Sequence, residues 1–113
     1  MKVLICGGRN YTDYNKILNF VKQLAAEYKN LLIIEGGAKG ADTLAKEAAI
    51  ECGLTYKGIK ADWKKYGRSA GSKRNQKMLG ENPNLVLAFH PDTDKSKGTK
   101  DMVNRAKRAE SRY

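Results

Sequence analysis

The stretch Leu31-Leu-Ile-Ile-Glu-Gly-Gly-Ala-Lys-Gly-Ala-Asp42 restricts the fold more than any other part of the chain. Its aliphatic run reads as a strand buried on both faces. The run stops at Glu35, and Gly36, Gly37 and Gly40 follow directly. From there Ala41, Leu44, Ala45, Ala48, Ala49 and Cys52 recur at helical spacing, and Gly53 stands where a left-handed residue stops a helix. Strand, glycine turn and helix in that order form half of a βαβ unit, which commits the chain to parallel strands with right-handed crossovers. Paired glycines let backbone approach a ligand closely. The helix after them presents unpaired N–H groups and a positive dipole end at the same place, so an anion, most often a phosphate, is the natural guest.

The same alternation recurs on both sides. Lys2–Cys6 reads as a buried strand, Gly7-Gly8-Arg9-Asn10-Tyr11 as a turn, and Thr12 or Asp13 as the cap of a helix reaching Tyr28. Ile17, Phe20, Val21, Leu24 and Ala25 give that helix its core face. Thr55–Ile59 is a third strand, which Lys57 and Gly58 assign to a sheet edge. Lys60 to Gly71 is expected to be a long loop carrying Trp63 and Tyr66, and Ser69–Leu79 a helix with a thin apolar face, stopped by Gly80. Asn84–Phe89 is the fourth strand, followed by a polar loop and a last helix opened by Gly98 and Thr99. The expectation is an α/β protein, a Rossmann-like three-layer αβα sandwich with a short parallel sheet in the order 3-2-1-4. Residues 1–113 are expected to form one domain, since a chain of 113 residues supports a single core.

In such sheets ligands bind at the carboxyl ends of the strands, beside the point where strand order reverses. Gly7-Gly8, Gly36-Gly37 and Ser96-Lys97-Gly98-Thr99 all fall at such ends, and Arg68–Asn75 follows the third strand on the same side. Gly7, Gly8, Arg9 and Tyr11 are therefore candidates for one wall of a site, with Gly36, Gly37, Lys39 and Gly40 as its floor. Arg9 can clamp a phosphate through its fork of donors. Asp42 suits either a ribose hydroxyl or compensation of the helix dipole. Arg68, Ser69, Arg74 and Asn75 can approach the same anion, Ser96, Gly98 and Thr99 a second phosphate, and Trp63 and Tyr66 can stack on a base or anchor their loop. Glu35 is a weak candidate for acid–base chemistry, and cleavage of an N-glycosidic bond would have to draw on Glu35, Asp42 or Asp101.

Composition narrows the partners. A net charge of +10 points to an anionic partner, and the scatter of the lysines favours a nucleotide over nucleic acid. Nothing approaches the length of a membrane span, and the start is too glycine-rich for a signal peptide, so a cytoplasmic setting without membrane contact is expected. Cys6 and Cys52 read as small buried hydrophobes, and His90 has no partners at metal-ligand spacing, so neither a metal nor a cofactor is expected. The glycines match neither Gly-x4-Gly-Lys-Ser/Thr nor Gly-x-Gly-x-x-Gly, which disfavours ATP hydrolysis and NAD-dependent redox chemistry. A short sheet leaves edges and helix faces to cover, so self-association into a homo-oligomer is an expectation.

Taken together, Gly-Gly-Arg-Asn-Tyr (7–11), Glu-Gly-Gly-Ala-Lys-Gly-Ala-Asp (35–42), Gly-Arg-Ser-Ala-Gly-Ser-Lys-Arg-Asn (67–75) and Ser-Lys-Gly-Thr (96–99) resemble the YspA-like branch of the SLOG superfamily. That superfamily also holds the Lonely-Guy cytokinin-activating enzymes, the DNA-processing protein DprA and nucleotide-sensing domains of anti-phage systems. YspA-like proteins are common in phages and prophages. The resemblance covers about residues 2–106. It implies a Rossmann-like fold and a ligand of nucleotide type, such as an ADP-ribose-like or cyclic nucleotide signal, sequestered in the host cytoplasm in a phage setting. Lonely-Guy enzymes carry a Pro-Gly-Gly-x-Gly-Thr-x-x-Glu motif with a catalytic glutamate. Here Gly98-Thr99-Lys100-Asp101-Met102 puts Met102 at that position, so the resemblance favours binding over N-glycosidic hydrolysis. Single-stranded nucleic-acid binding, as in DprA, is the other class it leaves open.

Overall fold

Alternation within the first strand decides how the layers assemble. In β1 (Lys2–Gly7), Val3 and Ile5 belong to one core and Leu4 and Cys6 to the other, and all four are buried. A strand apolar on both faces belongs inside a covered sheet. The computed structural model, which describes residues 1–89, places it there. The strands β2 (Leu32–Glu35), β3 (Thr55–Gly58) and β4 (Leu85–Phe89) join β1 in the order β3-β2-β1-β4, every pairing parallel. The order reverses between β1 and β4, which puts the switch point at Gly7 and Phe89. This is the Rossmann-like α/β architecture the sequence predicts.

The helices α1 (Tyr14–Glu27) and α2 (Ala41–Glu51) cover one face. Ile17, Leu18 and Val21 from α1 and Ala41, Ala45, Ala48 and Ala49 from α2 pack around Val3, Ile5 and Ile33. The alanine stripe lets α2 lie close to the sheet: a Cβ on Gly7 would stand 2.6 Å from that of Ala41. On the other face Met78 of α4 (Ala70–Leu79) closes over Leu4, Ile34 and Val86. Caps fall where the side chains allow them. Asp13 Oδ1 accepts the Lys16 N–H at 3.1 Å, and Gly53 takes φ +66° just after α2.

Several expectations change in detail. Leu18, not Phe20, is the third buried residue of α1; Phe20 is 39% exposed and meets Phe89 edge-on, with centroids 5.6 Å apart. The stretch expected as a loop contains α3 (Trp63–Tyr66) and a 3-10 turn over Gly67–Ser69 that leads into α4. Asp62 nucleates it by accepting the Lys65 N–H at 3.1 Å. A helix of one turn is too short to show an apolar period, so periodicity passes over it. β4 starts at Leu85 rather than Asn84. Asn84 instead holds Lys2 from both sides, its side chain accepting the Lys2 N–H and its own N–H donating to the Lys2 carbonyl, each at 2.8 Å. Among the described residues no helix is long and apolar enough to cross a membrane. The loop from His90, the candidates Ser96, Gly98 and Thr99, and the last helix with Met102 lie outside the described residues.

Candidate functional site

Two glycine turns meet at the carboxyl ends of β1 and β2. The Gly8 carbonyl accepts from the N–H groups of both Tyr11 and Ala41, each at 3.2 Å, which ties the first turn to the start of α2. Gly40 makes this possible. Its φ is +77°, and a Cβ there would strike the Gly8 carbonyl oxygen and lie 2.6 Å from the Arg9 carbonyl carbon. The local geometry therefore requires glycine whatever the site binds.

Under the second turn lie two acids that the fold has taken out of water. Glu35 is 3% exposed and Asp42 5%. Glu35 Oε2 accepts the Gly37 N–H at 2.6 Å, and Asp42 Oδ2 accepts the Ala38 N–H at 3.3 Å. Asp42 Oδ1 has no hydrogen-bond partner among the described residues. Arg74 reaches over from α4: its Nη1 donates to the Gly36 carbonyl and its Nε to Asn75 Oδ1, both at 3.4 Å. Gly36 is the spacer between them, since a Cβ there would stand 2.9 Å from Asp42 Oδ2 and 3.1 Å from Arg74 Nε.

Burial dominates the electrostatics of this layer. It raises Asp42 from 3.8 to about 6, against the opposing pull of the Arg74 guanidinium and the Ala38 N–H, while the neighbouring Glu35 adds to the rise. Burial also raises Glu35, opposed first by the Gly37 N–H and then by Lys46, Lys60 and Arg74. Cys6, behind them, is pushed up to about 12 by burial, with Asp42 contributing. The two acids thus occupy the amides of Gly37 and Ala38, which a phosphate in a glycine cradle would otherwise use. Those two amides are closed to an external anion.

A cleft of about 440 Å³ opens above the turn. Arg9, Lys39, Lys60 and Arg74 line it, with Trp63 as its aromatic wall. The one ion pair among the described residues, Lys57–Glu81, lies elsewhere, so no described acid neutralises these cations by direct pairing. Of the candidates named from sequence, Arg9, Gly36, Gly37, Lys39, Trp63 and Arg74 come together here. Gly8 and Gly40 shape the cleft from behind. Gly7 packs against Phe89 and Ala41, and the Tyr11 ring leans on Phe89 at 5.7 Å. Glu35, Asp42 and Asn75 lie buried and do not line the cleft. Arg68 and Ser69 sit exposed on the 3-10 turn, where Ser69 Oγ donates to the Tyr66 carbonyl at 2.8 Å. Tyr66 faces an adjoining groove rather than the cleft. Sequence reasoning passed over Ala38, Lys60 and Ala61 as lining residues. The usable signal for Lys60 was its position just past β3, on the ligand side of the sheet. Among the described residues no group of His, Cys, Asp or Glu is placed to hold a metal ion.

The sequence and the fold have known counterparts. Gene 61 protein of Mycobacterium phage D29 is 30% identical over 116 residues, an alignment covering 96% of this chain and 90% of that protein. The crystal structure of DNA processing protein A (DprA) from Streptococcus pneumoniae superposes with a TM-score of 0.77 at 18% identity, over 97% of this chain and 48% of that one. The chain thus spans about half of DprA, and at that identity the likeness is one of fold. The family model described as YspA, cpYpsA-related SLOG matches residues 1–66, which include both glycine turns, β3 and α3. The chain belongs to the YspA, cpYpsA-related SLOG family.

Proposed function

We propose that the cleft binds a nucleotide or nucleotide-derived ligand through its phosphate, and that the protein holds this ligand rather than converting it. One observation carries the reading: Arg9, Lys39, Lys60 and Arg74 converge from four separate segments on one cleft at the carboxyl ends of β1, β2 and β3. Four cations gathered in a concave site repel one another, and a bound phosphate relieves that repulsion. Trp63 on the rim offers a base or sugar an apolar face. ADP-ribose-like molecules and cyclic nucleotides belong to this chemical class. Residues 1–113 act as one binding unit in this proposal, and retention without turnover is the behaviour of a sponge for a nucleotide signal in phage–host conflict.

The placement of the acids argues for retention. Hydrolysis of an N-glycosidic bond needs a carboxylate at the sugar; among the described residues the two candidates, Glu35 and Asp42, are buried and accept from the amides of residues 37 and 38, and Asp101 lies outside the described residues. Calorimetric titration with AMP, ADP-ribose and a cyclic dinucleotide tests the proposal. Binding of at least one of them, lost about tenfold or more in Arg9→Ala and Lys60→Ala, is the expected result. Affinity that ignores both substitutions would place the ligand elsewhere. Base release from any of the three would establish an enzyme, and Glu35→Gln would then show whether Glu35 carries the chemistry.

A further inference from the structure

Arg74 belongs to two environments at once. Its half-buried side chain lines the cleft beside Arg9, Lys39 and Lys60, and it also packs over the buried acids, with Gly36 between it and Asp42. A Cβ on Gly36 would crowd both Asp42 Oδ2 and Arg74 Nε, so no side chain fits between the two groups. Yet they form no ion pair, since the one pair among the described residues is Lys57–Glu81. Arg74 is held by neutral acceptors instead, the Gly36 carbonyl and Asn75 Oδ1, both at the long distance of 3.4 Å. Asp42 Oδ1 stays buried without a hydrogen-bond partner among the described residues. The guanidinium is thus loosely placed, with a buried acid on one side and the open cleft on the other.

Three titratable groups face Asp42 from other elements: Arg74 of α4, Glu35 at the end of β2 and the Cys6 thiol of β1. Arg74 is charged throughout, and Cys6, pushed up to about 12, is neutral near pH 7. The attraction of Arg74 is the strongest influence opposing burial at Asp42. Glu35 meets the Gly37 N–H, Lys46 and Lys60 ahead of Arg74, so Asp42 is the acid that depends on Arg74 most directly. An anion seated in the cleft beside Arg74 offsets this attraction, because one guanidinium then serves two negative charges. The anion and ionised Asp42 are therefore competitors for the same cation.

We propose that Asp42 is a positioning residue that governs how much of the Arg74 charge reaches the ligand, so that an anion entering the cleft brings a proton to Asp42 and binds more tightly in acid. The inference rests on the cleft reading proposed above and adds the regulation of that site. Its sign follows from linkage. Without ligand the Asp42 carboxyl titrates at about 6. A bound anion moves that midpoint upward, and between the two midpoints binding is accompanied by proton uptake. Affinity is therefore full below the lower midpoint and is lost as pH rises through the window.

Titration of the full chain with sulfate and with ADP-ribose tests it, because neither probe changes charge between about pH 5 and about pH 8. At fixed ionic strength both should bind roughly tenfold more tightly at the acidic end than at the other. The Asp42 carboxyl carbon, followed by NMR, should titrate about one pH unit higher when either probe saturates the protein. Asp42→Asn should make the affinity flat in pH, and Arg74→Gln should weaken both probes and flatten it too. Glu35→Gln should keep the pH dependence. So should His90→Gln, which removes the one histidine of the chain, a side chain that titrates in the same range. Affinity flat in pH in the parent, pH dependence that survives Asp42→Asn or vanishes in His90→Gln or Glu35→Gln, or an Asp42 midpoint that saturation leaves in place, overturns the inference. The last readout needs no variant to fold. The cleft reading stands through any of these if Arg9→Ala still weakens both probes. Binding that follows Asp42 but ignores Arg9→Ala and Lys60→Ala would support the coupling and refute the cleft. Absence of binding by both probes at every pH refutes both.

Discussion

Asp42 offers the sharpest test of the electrostatics. Its carboxyl is raised from 3.8 to about 6 because burial outweighs the attraction of Arg74. Between these values the folded protein binds a proton that the unfolded chain does not, so the contribution of Asp42 to stability falls as pH rises through this window. At 1.36 kcal/mol per tenfold change in acidity, the whole rise corresponds to about 3 kcal/mol. About 2 kcal/mol of this falls between about pH 4.5 and about pH 7.5. Asp42→Asn removes the titration and keeps the shape. The substitution also carries a pH-independent effect, because the amide changes what faces Arg74, but that effect cancels when the two proteins are compared at two pH values. Urea unfolding of both proteins at each pH should show the D42N variant gaining about 2 kcal/mol on the parent between the acidic and the neutral measurement. A stability gap that does not move with pH would refute the dominance of burial. A gap that moves the other way would mean that Arg74 wins and Asp42 is the stabilising half of an ion pair.

Two glycines share a positive φ but differ in what surrounds them, and Gly40 also has ψ −127°, a region essentially confined to glycine. Gly53→Ala at φ +66°, with open space around it, should lose about 1 kcal/mol in urea unfolding, whereas Gly40→Ala at φ +77° against Gly8 and Arg9 should lose about 3 kcal/mol or fail to fold. Charge reversal Lys39→Glu should weaken AMP by tenfold or more, with a thermal midpoint within a few degrees of the parent, because Lys39 is exposed and makes no ion pair among the described residues. Cys6, buried with its thiol pushed up to about 12, should resist a thiol reagent at about pH 8 in the folded protein and react fully once urea unfolds it.

The architecture was legible because it is written in short-range patterns. The run at 31–34 and the alanine stripe from Ala41 to Ala49 each declare an element and its buried face, and the weak Thr55–Ile59 segment declares an edge; all four β3 residues are exposed. Right-handed crossovers then leave few strand orders, and the observed one follows. What escaped was set by distance in sequence. Lys60, at the end of β3, shares the cleft with Arg9 of the first turn, and no periodicity connects the two. The helical turn at Trp63–Tyr66 rests on a single Asp62 cap.

The glycine turn itself shows why a motif is not yet a site. Read as sequence, Glu35-Gly-Gly-Ala-Lys-Gly-Ala-Asp42 offers free amides to a phosphate. In the fold, the motif's own first and last residues take the amides of Gly37 and Ala38. That occupation costs the protein two buried carboxylates, one with an oxygen that no described residue satisfies. It also changes what the turn contributes. A turn with open amides would grip a phosphate by its own hydrogen bonds and discriminate little among ligands. With the Gly37 and Ala38 amides taken, the proposed binding role leaves selection to Arg9, Lys39, Lys60, Arg74 and Trp63, which sit on separate elements. Substitution at these positions can therefore retune the ligand while the turn that supports them stays fixed. Relatives that keep the Glu–Gly–Gly and Gly–Ala–Asp framework should accordingly share the fold and differ in what they bind. A relative with glycine in place of both acids should recover a direct amide grip on phosphate, seen as anion affinity that persists after Arg9 and Lys60 are removed.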